Sequence, residues 1–90
     1  MKLYLIHAGY YDSEIMDGLY ENHINYFVVA ENVNSAKKKA KQNSTYKKKK
    51  MHVDGIRELN IVDGFRIKLV KDNSRDNMVI YSYDDVKKIK

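Results

Sequence analysis

An Asp-Gly pair at residues 63–64, set between two apolar-alternating runs, constrains this chain more than any other feature. Residues 52–70 read HVDGIRELNIVDGFRIKLV, and Asp-Gly supplies the positive φ angles that a tight β-hairpin needs. Two registers compete. A loop of Asp63 and Gly64 alone would pair Val62 with Phe65 and set Asn60 opposite Ile67 and Glu58 opposite Leu69, mixing polar and apolar groups on one face. A loop of Val62, Asp63 and Gly64, with Gly64 left-handed at a bulge, pairs Ile61 with Phe65 and Leu59 with Ile67. Glu58 then faces Lys68 and Asn60 faces Arg66. A slip of one residue moves every side chain to the wrong face, so the second register is expected. It places Val53, Leu59, Ile61, Phe65, Ile67 and Leu69 on the core side, and the rest of the chain is expected to pack against that hairpin.

Upstream, residues 2–8 (KLYLIHA) are apolar on both parities, which suits a central strand covered on two sides. Residues 9–22 read as an aromatic-rich loop in which Ser13 caps one turn through Ile15 and Met16 and in which Gly9 and Gly18 serve loop conformations. Residues 24–31 (INYFVVAE) form a second strand. Asn32 then caps a helix over 33–42, with Val33, Ala36 and Ala40 on its narrow apolar stripe. A basic loop over 46–50 leads into the hairpin. A polar turn over 71–77 precedes a fifth strand over 78–83 (MVIYSY), and Asp84 caps a last short turn holding Val86 and Ile89. The order β-β-α-β-β-β gives an α+β class: one domain over 1–90, a mainly antiparallel sheet of about five strands, and one main helix on one face. Its second face, left without a helix, points to a homodimer.

Composition narrows the function. With no cysteine, disulfides and thiolate metal sites are excluded. The longest apolar run, near residues 26–30, is far short of the roughly 20 residues of a membrane span, and the first ten residues carry no convincing cleavage site. A cytoplasmic protein with no membrane partner and no resident cofactor is expected. The formal charge is +5, yet residues 37–50 hold eight lysines and no acid, which leaves −3 for the remainder. Lys37, Lys38, Lys41, Lys47, Lys48, Lys49 and Lys50 are candidates for phosphate contacts, with Tyr46 positioned to stack on a base. Without arginine the segment lacks bidentate base readout, and a solvated lysine face explains it as well.

Two clusters stand at strand starts: Glu21-x-His23 and His52-x-Asp54. Alternation puts both members of each on one face, so if the strands are neighbours four ligand-type side chains converge, as in a His/carboxylate metal or acid–base site. The plainer alternative is a set of strand-edge residues making capping and cross-strand hydrogen bonds, since no HExxH or comparable motif is present. His7 reads as a core or rim histidine.

Glu21-Asn22-His23 leading into Phe27-Val28-Val29-Ala30, Asn32 to Ala36 opening a helix, His52-Val53-Asp54 and Val62-Asp63-Gly64-Phe65 are motifs by which the chain resembles the bacterial family called domain of unknown function 1543. The resemblance runs over about residues 2–69. It implies a fold and brings no activity. The residues taken alone thus favour a non-enzymatic homodimer acting through protein contacts, ahead of a nonspecific nucleic-acid binder and a metal or hydrolytic site at Glu21, His23, His52 and Asp54.

Overall fold

A computed structural model of the chain describes residues 1–74 and 77–90. Strand β1 (Lys2–Tyr11) lies between β2 (Glu21–Ala30) and β3 (His52–Glu58), antiparallel to both. The central place of β1 follows from its alternation. Tyr4, Ile6 and Ala8 point to one face and are almost wholly buried, while Leu3, Leu5 and His7 occupy the other and are half-buried. β1 extends three residues past the expected strand, so Gly9 sits inside the sheet rather than in a loop.

Helix α1 (Val33–Ala40) covers the buried face. Asn32 Oδ1 accepts the Ser35 N–H at 2.9 Å, as the expected cap. Ala36 and Ala40 have no exposed surface, and with no side chain beyond Cβ they let the helix backbone sit close to Tyr4, Ile6 and Ala8. The Tyr26 hydroxyl donates to the Ala40 carbonyl at 2.8 Å, which ties the helix end to β2. Instead of a basic loop, a short helix α2 (Ser44–Lys48) follows, because the Asn43 side chain accepts two backbone N–H groups, those of Thr45 and Tyr46. Lys50 then takes a positive φ of 50° and returns Met51 to the core. Tyr10, Ile24, Val28, Tyr46, Val53 and Ile56 pack around this centre.

The hairpin differs from expectation in register and in rank. Val62 pairs with Phe65 and Ile61 with Arg66, across a loop of Asp63 (φ 52°) and Gly64 (φ 80°). Two successive positive φ angles are those of a two-residue hairpin turn, whose twist matches its strands. Ile61 and Phe65 therefore face opposite sides. Burial can choose a register only where one face is buried, and β4 (Ile61–Val62) and β5 (Phe65–Arg66) are exposed on both, with Phe65 73% accessible. Turn geometry decides instead. Residues expected to pair within one long hairpin go elsewhere: β3 pairs with β1, and Glu58 meets the Tyr4 hydroxyl at 3.3 Å and Lys2 at 3.5 Å, not Lys68.

The fold is thus α+β with a three-stranded antiparallel sheet and a separate two-stranded one. The expected fifth strand over 78–83 does not form among the described residues. Met78, Val79, Ile80 and Tyr81 are each at least 67% accessible, and Ser82, rather than Asp84, caps α3 (Tyr83–Lys87) in a reciprocal pair with Asp85. Of the polar turn expected at 71–77, the residues between 74 and 77 lie outside the described ones. The radius of gyration, 16.0 Å, exceeds the roughly 12 Å of a compact chain of this length, as expected when the last third packs little.

If the core belongs to β1, Ile6→Ala costs about 2–5 kcal/mol of unfolding free energy, and Phe65→Ala changes it by no more than about 0.5 kcal/mol. Urea unfolding followed by circular dichroism checks this. A larger loss at Phe65 than at Ile6 would return the organising role to the hairpin.

Candidate metal centre

The face of the sheet away from α1 carries the odd-numbered residues of β1 and β2. Pairing sets Tyr11 beside Glu21, Gly9 beside His23 and His7 beside Asn25. On the other flank of β1, Gly9 pairs with His52 and His7 with Gly55. Ala8 pairs with Val53, so Asp54 has no partner and forms a β-bulge between Val53 and Gly55. Glu21-x-His23 and His52-x-Asp54 therefore stand on two strands that are not neighbours. β1 runs between them, and strands two apart are separated by about 10 Å.

Gly9 closes that distance. A Cβ there would collide with Glu21 Oε1, and would lie 2.6 Å from Asp54 Oδ2 and 2.8 Å from His52 Nε2. The three side chains occupy the space that any other residue at position 9 would fill. They meet across it. His52 Nε2 lies 2.6 Å from Glu21 Oε1 and 3.0 Å from Asp54 Oδ1. His23 Nε2 lies 2.9 Å from Asp54 Oδ2 and 3.2 Å from Glu21 Oε1. All four predicted ligand-type residues converge, and each carboxylate bridges both imidazoles.

The structure adds His7, read from sequence only as a core or rim residue. Its ring stacks on that of His23, with centroids 4.5 Å apart and planes 8° from parallel. Its Nδ1 is 2.8 Å from Asn25 Oδ1. Donation of Nδ1–H to that oxygen fixes the tautomer and leaves the Nε2 lone pair free, the usual arrangement of a metal-binding histidine. Tyr11 flanks the opposite side, its ring 6.3 Å from that of His52. The signal for His7, Gly9 and Asn25 was their common parity with residues 21 and 23, visible only once the pairing of β1 with β2 is known.

The Asp54 carboxyl is held below its ordinary 3.8. The neighbouring Glu21 side chain is the largest cause. Partial loss of water opposes it, and the His23 hydrogen bond with the charges of His52 and His23 completes the lowering. Two donor sets follow, His7–His23–Asp54 and Glu21–His52–Asp54, each with one candidate ligand atom per residue, all within 4.8 Å of one another. Nitrogen and oxygen donors of this kind suit Zn²⁺ and other divalent transition ions. The side chains of Glu21, His23, His52 and Asp54 are between 28% and 47% accessible, so an ion and a small substrate can reach them.

The basic segment lies apart, in the helical layer on the other side of the sheet. Tyr46, the expected base-stacking residue, is half-buried and packs against the core. Lys49 is held by Asp12 at 3.5 Å and by the Tyr10 ring at 5.0 Å. Lys37, Lys38, Lys41, Lys47, Lys48 and Lys50 are exposed. No described helix is long and apolar enough to cross a membrane.

A family model described as Domain of Unknown Function (DUF1543) matches residues 18–69, more than half of the chain. The match includes Glu21, His23, His52 and Asp54, and begins after β1, so His7 and Gly9 fall outside it. No curated protein and no solved structure gives a significant match.

Gly9→Ala separates fold from site. The obstacles to its Cβ are the ends of side chains that can swing away, and alanine gains about 0.5–1 kcal/mol over glycine in a strand. The variant is expected to unfold within about 1 kcal/mol of the parent, while the His23 and His52 ring resonances shift as the cluster opens. Unchanged ring resonances would show that Gly9 does not hold the cluster together.

Proposed function

The chain belongs to the DUF1543 family, and we propose that it is a divalent-metal domain that activates water for hydrolysis on the open face of its sheet. One observation carries the reading: Glu21, His52 and Asp54 meet over a strand position that has no side chain of its own, and His23 and His7 stand beside them, which gathers five potential ligands from three strands. His7, His23 and Asp54 supply two imidazole nitrogens and one carboxylate oxygen, three protein donors that leave a position for water. A bound ion of this class lowers the pKa of that water toward neutrality. Glu21, 2.6 Å from His52, would accept that water's proton as its oxygen bonds to the substrate's electrophilic carbon or phosphorus, and the His52–Glu21 pair would return the proton to the leaving group as the bond to that group breaks. Asn25 orients His7.

Calorimetric titration of the metal-free protein with ZnCl₂ is expected to give one ion per chain. His23→Ala should abolish uptake, and Asn25→Ala should weaken it by about 10–100-fold. Glu21→Gln should keep the ion and lose hydrolysis of nitrophenyl esters and phosphates. Absence of uptake overturns the reading, and so does full hydrolysis by Glu21→Gln.

A homodimer is the second reading. It is supported by the apolar run Met78–Tyr81, exposed and unpaired with any described strand, and by the outer edges of β2 and β3, which no described strand covers. Sedimentation is expected to show a dimer that Val79→Ser with Ile80→Ser converts to monomer. A parent chain that stays monomeric at high concentration would remove this reading.

A further inference from the structure

Resting on the metal reading, we infer that the centre serves a small substrate carrying a remote oxyanion, a carboxylate or a phosphate, which Arg57 holds. A cleft of about 480 Å³ opens beside the cluster, lined by Leu5, His7, Asn25, Gly55, Ile56 and Arg57. Its volume is that of a small-molecule site. His7 belongs both to this lining and to the donor set, so the cleft leads directly to the place of the ion.

Two features of β3 build it. The first is the bulge at Asp54. Before it, the even-numbered His52 faces the cluster. After it the parity is reversed, so that Ile56 pairs with Ile6 toward the core and Arg57 pairs with Leu5 on the open face. Without the extra residue, Arg57 would point toward the helical layer. The second is Gly55, opposite His7. A Cβ at Gly55 would meet nothing within 4 Å, so the cleft is open there because the residue has no side chain.

Arg57 is exposed, and among the described residues its side chain has no ion pair or hydrogen bond. A free guanidinium on the rim of a cleft is suited to bidentate binding of an oxyanion. The row that contains His7 and Gly55 is one two-residue step, roughly 7 Å, from the row that contains Leu5 and Arg57. Beside the line from His7 to Arg57 lies the Leu5 side chain, with the exposed Phe27 next to it on β2. The ligand so described has a reacting group at the ion, a short apolar middle and an oxyanion at the far end.

The probes are α,ω-dicarboxylates of three to six carbons, the phosphonocarboxylates of equal length, and acetate, each titrated into the zinc-loaded protein by calorimetry. One chain length should bind best, and whichever series binds more tightly identifies the oxyanion. Arg57→Gln should weaken that ligand by about tenfold or more while leaving zinc and acetate affinity unchanged. Gly55→Leu should block the long ligands and leave zinc uptake intact. If zinc binds and Arg57→Gln holds the diacids as tightly as the parent does, this inference falls and the metal reading stands. If zinc does not bind, both fall.

Discussion

Two strands separated by a third can combine their side chains only where the middle strand offers no side chain in between. Gly9 meets that condition. Its neighbours across the two ladders, His23 and His52, bring the residues beside them, Glu21 and Asp54, within hydrogen-bond distance of each other's imidazoles. Any Cβ at position 9 would stand where the Glu21 carboxylate now lies. The same strand serves the fold with its alternate residues, since Tyr4, Ile6 and Ala8 make the floor on which Ala36 and Ala40 rest. Core and site are therefore the two faces of one strand, and the period of 2 in a β-strand keeps them apart.

The bulge at Asp54 is the second device, and it acts on both faces. A continuous β3 paired with β1 through His52 would place Asp54 beside His7 and Ile56 beside Leu5 on the open face. The extra residue leaves Asp54 with the cluster and turns Ile56 inward against Ile6. It also brings Arg57 outward, into the cleft that begins at His7. One inserted residue thus supplies a ligand, completes the core and sets a cation at a fixed distance from the ligand set.

The four-residue cluster was legible in the sequence because each half is an i, i+2 pair at the start of an apolar run, and alternation alone puts such pairs on one face. That they meet was not legible, because sequence cannot say that β1 lies between β2 and β3, nor that residue 9 is in a strand. His7 was hidden for the same reason, being one more polar position in a strand whose apolar residues occupy both parities. The central strand itself, Asn32 as a cap and the Ala36/Ala40 face were legible because each rests on a local rule. The hairpin misled because its two runs look apolar enough to seed a core. Ile61, Val62 and Phe65 beside the turn are in fact exposed, and without burial there the positive φ angles of Asp63 and Gly64 decide the register. The apolar run at 78–83 failed similarly: strand propensity describes a fit to a neighbouring strand, and no described strand lies beside it.

Stability does not explain why the cluster exists. Ion pairs as accessible as these contribute little to folding, and a glycine inside a strand costs about 0.5–1 kcal/mol relative to alanine. A strand with alanine at position 9 and small polar residues around it would fold at least as well. The arrangement also gathers three imidazoles and two carboxylates on an otherwise half-apolar face, where Leu5 and Val29 are partly covered and Phe27 is exposed. What such a gathering gains is affinity for something that His7, His23 and Asp54 can hold at once with Glu21 and His52 beside it, and a divalent ion is the simplest partner of that chemistry. The ion would turn the lone pairs that now meet hydrogen-bond partners toward a common centre, releasing protons as it binds. On this view the glycine, the bulge and the Asn25 contact to His7 are parts of one arrangement, each placing a donor that the sheet's regular geometry would otherwise keep away.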